Sequence, residues 1–258
     1  MKVPISAVAV LYLHFFTFTL SAQVSTPSSS TIQGLTVGQV LNLAITTLAS
    51  NSLPNDIQIQ GSMQITSGGR SETAAITAAA LGVSQSYEAI SGPNTQSKVV
   101  YTHGAASLNG VTASVEFASS AQSGLFPAQL LCGLASTPNG SGTIIGIENV
   151  NGASLLHFQT FQNFPDVPNN GLAPFTQRDW WIDPSTGLVK RLAFDRRSAG
   201  GATPAVHYEY TYLSYQSQNG LLTPTKISLT VNGTQYATIL ITSIQVNTGL
   251  TSASFQVQ

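Results

Sequence analysis

The chain has 258 residues, of which only 7% are charged, nine basic against ten acidic, and it holds a single cysteine. Charge this sparse and balanced excludes an electrostatic footprint for nucleic acid or for an anionic membrane surface. The lone Cys132 excludes an internal disulfide, so stability must come from a packed core.

Residues 1–22 read as a signal peptide. Lys2 gives a short basic start, residues 5–20 an apolar stretch, and Ser21-Ala22 a small-residue cleavage zone. The apolar stretch is at or below the length of a membrane anchor, and a lipid anchor would need a Cys right after the cleavage site. Export to the periplasm or beyond is therefore expected, with no transmembrane segment left after cleavage. Residues 23–33 are a flexible Ser/Thr-rich leader, and a single domain is expected over 34–258.

The domain opens on a helical pattern at 36–48, where Val37, Val40, Leu41, Ala44, Ile45 and Leu48 recur on one face. From Ile57 the period changes to two, predicting strands at 57–65, 72–80, 84–90, 98–102 and 112–117. Pro127 suits the first turn of a second helix over 127–134, with Leu130, Leu131 and Leu134 as its apolar face. Cys132 lies among these apolar neighbours and reads as a buried, inert thiol.

Strands resume at 143–150, 154–161, 178–182, 188–195, 205–213, 224–231 and 236–246. Asn109-Gly110, Asn151-Gly152 and Asn232-Gly233 stand where tight hairpin turns are expected. Many antiparallel strands with few helices give an α+β class. So many strands rarely stay flat, which predicts one large curved sheet with the helices on its concave side and a cavity between.

Eight of the charged residues fall between Arg178 and Arg197, around the turn Asp183-Pro-Ser-Thr-Gly187. If Ile182 faces Leu188, Asp179 lies opposite Arg191 and Trp181 opposite Val189. Trp180, Ile182, Leu188 and Leu192 then share one side, with Asp179, Trp181, Val189 and Arg191 on the other. In the strand that follows, Tyr208, Tyr210 and Tyr212 alternate with His207, Glu209 and Thr211.

Asp179-Trp-Trp-Ile-Asp-Pro-Ser-Thr-Gly-Leu-Val-Lys-Arg-Leu192 resembles the strand, Asp-x-x-Thr-Gly, strand hairpin of the LolA-like periplasmic lipoprotein-carrier superfamily. Tyr212-Leu-Ser-Tyr-Gln-Ser-Gln-Asn-Gly-Leu-Leu-Thr-Pro-Thr-Lys-Ile227 is similar to that family's tyrosine, Gly-containing loop and apolar-x-Pro strand start. Asn247-Thr-Gly-Leu-Thr-Ser-Ala-Ser-Phe255 resembles its closing Asn…Phe segment. Leu125-Phe-Pro-Ala-Gln-Leu-Leu131 and Gly146-Ile-Glu-Asn-Val-Asn-Gly152 fit its order of elements. The resemblance covers most of the mature chain and implies an incomplete antiparallel barrel wrapped over helices, whose apolar hollow receives acyl chains in carrier members. The chain departs from the carriers in its Ser/Thr-rich leader, its scant charge, and the lack of an early-strand Arg near 84–90.

No catalytic or metal-binding signature accompanies these motifs. His103, His157 and His207 lack ligand spacing, and Ser141 lacks the setting of a nucleophile elbow. Asp183 reads as a turn residue and Asp195 as a neighbour of Arg196 and Arg197. The expectation is a non-catalytic binding protein without cofactor or metal, monomeric, taking a lipid or the acyl chains of a lipoprotein. Strand faces nominate Trp180, Ile182, Leu192, Phe194, Tyr208 and Tyr210 as the lining. Arg191, Arg196 and Arg197 are the candidates for docking a cell-envelope protein. A structural or sensor module of the envelope with no ligand cavity is the alternative, and a secreted hydrolase the third reading.

Overall fold

In the computed structural model, which describes residues 34–50, 53–136, 140–162, 173–200 and 204–257, the first element starts where its capping chemistry places it. Thr36 accepts the Gln39 amide on its hydroxyl while its own backbone N–H donates to the Gln39 side chain, a complete capping box for helix α1 (Val37–Ala49). Val40, Ala44 and Leu48 form its buried stripe.

The sheet is built from two meanders. The first comprises β1 (Asp56–Ser67), β2 (Arg70–Leu81), β3 (Gln85–Ser91), β4 (Gln96–Thr102), β5 (Ala105–Leu108) and β6 (Val111–Thr112). The second comprises β7 (Gly140–Val150), β8 (Ala153–Gln162), β9 (Arg178–Ile182), β10 (Val189–Arg196), β11 (Val206–Gln218), β12 (Leu221–Val231) and β13 (Thr234–Val246). The strands between β6 and β7 in spatial order are antiparallel throughout, and β1 pairs with β13, which joins the meanders into one 13-stranded sheet. The sheet is curved and does not close, as the α+β reading expected.

Four hairpins turn on Asn-Gly pairs at 109–110, 151–152, 219–220 and 232–233, with φ between 48° and 52° at each Asn and between 76° and 85° at each Gly. Consecutive positive φ values define the type I′ turn, whose twist matches that of the flanking strands.

Between the meanders run α2 (Val115–Ala118) and α3 (Pro127–Ser136), and a single turn α4 (Ala173–Thr176) precedes β9. The strand expected at 112–117 is therefore corrected: β6 ends at Thr112, and Val115–Phe117 belong to helix α2. Ser114 decides it by accepting the Phe117 amide as an N-cap, which turns Phe117 into the core beside Tyr101.

Helices α1 and α3 pack together on one face of the sheet, here called the inner face. Trp180, Ile182, Val189, Leu192 and Phe194 project to this face and are 0–2% exposed. The outer face is sealed near β2–β4 by a 3₁₀ turn, Ser252–Phe255, whose Phe255 packs on Ala79 and Val100. The turn is held by Asp56, whose carboxylate accepts the backbone N–H groups of Thr248, Gly249 and Leu250 and the Thr248 hydroxyl. Burial opposes ionisation of Asp56, but these hydrogen bonds outweigh it and hold the carboxyl below its usual range.

The proposed signal peptide and leader, 1–33, lie outside the described residues. Among the described residues no helix is long and apolar enough to cross a membrane.

Candidate ligand-binding cleft

The register of the β9–β10 hairpin sets which side chains reach each face. Ile182 pairs with Val189, and beyond a bulge at Lys190 Trp181 pairs with Arg191, Trp180 with Leu192 and Asp179 with Ala193. The expected pairing of Asp179 with Arg191 is thus corrected. The Asp183–Gly187 turn closes one step later than assumed, with the Asp183 N–H donating to the Leu188 carbonyl, and the bulge adds a second step. Two steps leave Trp180 and Leu192 on a common face, while the bulge brings Val189 over to it.

On the inner face the nominated lining residues converge, but most are already packed. Trp180, Ile182, Leu192, Phe194 and Tyr210 are 0–3% exposed. Segment 119–126 lies directly on the tyrosines: Tyr212 donates to the Gly124 carbonyl (2.7 Å), and a Cβ on Gly124 would stand 2.9 Å from the Tyr210 ring. Only a glycine fits there. Tyr208 differs from the other five because it lines an open cleft of about 300 Å³.

That cleft is the mouth of the curved sheet. Val99 and Leu108 reach it from β4 and β5, Phe117 from α2, and Arg196, Val206 and Tyr208 from β10 and β11. Its lining combines these apolar groups with Ser97, Ser198, the Tyr208 hydroxyl and the guanidiniums of Arg196 and Arg197. Arg196 lies over the rings of Phe117, Phe194 and Tyr208 at 5.1–5.6 Å and donates to the Ser120 carbonyl. Arg197 lies over Phe175 at 5.1 Å.

Behind Arg196 stands Arg178, which sequence reasoning left out of the site. It is 2% exposed and shares the Phe194 ring with Arg196, with its own guanidinium 5.9 Å from the ring centre. Burial pushes this guanidinium down to about 10, and the neighbouring Arg196 pushes the same way against the favourable Tyr101 and Tyr212. Strand parity carried the signal: Arg178, Trp180 and Ile182 alternate onto one face.

The three arginines nominated for docking do not form one surface. Arg191 projects to the outer face, whereas Arg196 points inward and Arg197 follows the end of β10. On the outer face Arg191 covers the Trp181 ring at 4.3 Å and pairs with Glu209. The opposite side of Trp181 is stacked on His157 with ring centres 4.2 Å apart. His157 is held at both ring nitrogens, by Glu148 (2.7 Å) and Asp179 (2.9 Å), and Glu148 also accepts the Trp181 indole N–H (2.7 Å). Those bonds from Trp181 and His157 keep the Glu148 carboxyl below its usual range. The separation of the histidines in sequence gave no sign of this strip, because its members come from five strands. Cys132, expected to be buried, is only partly so, and its partial burial pushes the thiol pKa up.

No family model matches the sequence, and no curated protein matches it. Solved structures do match in shape. A DUF1329 family protein from Desulfovibrio piger aligns over 85% of this chain and 98% of its own at TM-score 0.54 and 15% identity. A domain assigned to outer membrane lipoprotein sorting, from Vibrio parahaemolyticus, aligns over 84% and 95% at TM-score 0.54 and 15% identity. A LolA superfamily protein from Nitrosomonas europaea aligns over 86% and 98% at TM-score 0.56 and 10% identity. The fold is LolA-like. At these identities the likeness is one of architecture, and the LolA-like sheet of this chain is the frame on which the cleft is built.

Proposed function

We propose that this is an exported, non-catalytic binding protein that takes an apolar ligand, a lipid or the acyl chains of an acylated protein, at the mouth of its LolA-like sheet. The observation that carries the reading is the cleft of about 300 Å³ between β4–β5 and β10–β11, walled by Val99, Leu108, Phe117 and Tyr208. Its volume is at the lower end of ordinary ligand sites. A solved relative in fold assigned to outer membrane lipoprotein sorting supports the same class of cargo. Apolar burial would supply the affinity, at about 0.8 kcal/mol for each CH₂ removed from water.

Trp180, Ile182, Leu192, Phe194 and Tyr210 would then form the floor beneath the ligand. A chain reaches them only when segment 119–126 leaves Tyr210, which requires the Tyr212–Gly124 hydrogen bond to break. Displacement of a fluorescent fatty acid from the mature protein tests the proposal. Binding at micromolar concentration or tighter is expected, corresponding to about −8 kcal/mol. Leu108→Trp, which fills the cleft with a bulky side chain, should abolish it. Failure of the native protein to bind any acyl probe overturns the reading.

A further inference from the structure

On the inner face the guanidiniums of Arg178 and Arg196 have no carboxylate paired with them among the described residues. Arg178 is surrounded by Phe194, Tyr101 and Tyr212, and its Nε and Nη2 are buried without a hydrogen-bond partner. Arg196 likewise has a buried Nε without a partner, although its Nη2 reaches the Ser120 carbonyl. The ion pairs formed among the described residues use Glu148, Asp179, Asp195 and Glu209, and none of them involves Arg178 or Arg196. Glu88, on the same side of the sheet, is taken by the Ser123 hydroxyl at 2.6 Å.

A guanidinium removed from water and left unpaired is destabilising by several kcal/mol, because nothing replaces its hydration. Aromatic faces return only part of that. Sequence economy makes the arrangement more pointed. The chain spends nine basic residues in all, and three of them, Arg178, Arg196 and Arg197, stand at or behind one cleft. Arg196 lines the cleft itself, and Arg178 adjoins it through the shared Phe194 ring.

We infer that the cleft is selective for an anionic amphiphile, whose single carboxylate or phosphate is bound by Arg196 with Arg178 behind it while its chain lies along Val99, Leu108, Phe117 and Tyr208. This rests on the binding reading above and specifies its ligand. A planar fork of N–H donors matches the paired oxygens of either anion, and in a site with aromatic walls the attraction is far less screened than in water. A neutral amphiphile of the same chain length would leave both guanidiniums unpaired, so it gains the apolar burial alone.

Competition against a neutral fluorescent acyl probe distinguishes the cases, using laurate, dodecyl phosphate and dodecanol with the mature protein at pH 8. At least one anion should bind about tenfold tighter than dodecanol, a difference of roughly 1.4 kcal/mol. Preference for laurate alone identifies a carboxylate site, and equal preference identifies a site for either headgroup. In Arg196→Met and Arg178→Met the ratio of anion to dodecanol affinity should fall toward one, and Arg196→Lys should keep part of it. Thermal melts of each variant establish that it is folded. Dodecanol binding as tightly as both anions, or full preference retained in both Met variants, overturns the inference and leaves the acyl-binding reading standing. Failure of all three ligands to compete overturns both.

Discussion

On its outer face the β9–β10 hairpin surrounds Trp181 with paired charge, whereas one residue away on its inner face Arg178 lies among aromatic rings with no carboxylate upon it. Asp179 and Arg178 are chain neighbours, and the pleat sends them to opposite sides of the sheet. Outside, His157 bridges Glu148 and Asp179, and Arg191 pairs with Glu209. Such an arrangement serves stability, since the groups satisfy one another. Inside, Arg178 and Arg196 retain unpartnered N–H groups, which works against stability and which the proposed anionic ligand would satisfy. The difference separates residues that hold the sheet from residues available to bind.

Four measurements would break or sharpen that contrast, beginning with the largest effect. Trp180→Ala removes a side chain that is 0% exposed, stacked with Phe158 and bonded to Thr160, so denaturant unfolding should show a loss of about 4 kcal/mol. A loss below about 1 kcal/mol would mean that the inner face is loosely packed.

His157→Ala leaves Glu148 and Asp179 without their shared imidazole partner, and unfolding should register a loss of about 2 kcal/mol. An unchanged midpoint would show that the outer strip contributes nothing to stability.

Acid titration comes next. Asp56 and Glu148 have folded-state carboxyls held below their ordinary values, so their contribution is present above about pH 5 and is lost as pH falls through the folded-state values. Stability should fall as pH drops from about 5 to about 3, and Asp56→Asn should flatten part of that slope. A slope unaltered in Asp56→Asn would remove this carboxylate from the account.

The smallest effect has the opposite sign. Arg178→Met replaces a buried, unpaired cation with an apolar side chain of similar length, and the ligand-free protein should be unchanged or more stable by roughly 1 kcal/mol. A loss of 2 kcal/mol or more would mean that Arg178 is a structural residue whose packing on Phe194 outweighs its unpaired charge.

Much of the architecture was legible in the sequence because it depends on local chemistry. Period-two alternation and Asn-Gly pairs located the hairpins, and the recurrence of Val37, Val40, Ala44 and Leu48 located α1. Local reading failed at 112–117, where alternation is also compatible with a capped helical turn and the burial of Phe117 against Tyr101 decided between them. It failed again at the β9–β10 register, because a bulge at Lys190 has no distinct composition. The nominated lining residues were placed on the correct face by parity, yet parity gives no information on whether a face is open. Segment 119–126 covers Tyr210, and that contact joins positions more than eighty residues apart.

The sequence by itself determined the antiparallel strands, their Asn-Gly hairpins, the helices α1 and α3 and the alternation of side chains along unbulged strands, since these follow from turn chemistry and side-chain period over a few residues. Tertiary structure alone decided that Val99, Phe117, Arg196 and Tyr208 share a cleft, that Arg178 stands behind it without an acid, and that His157 lies between two carboxylates. Those relations arise from the closure of β1 on β13 and the curvature of the joined sheet, which bring together strands that no local pattern connects.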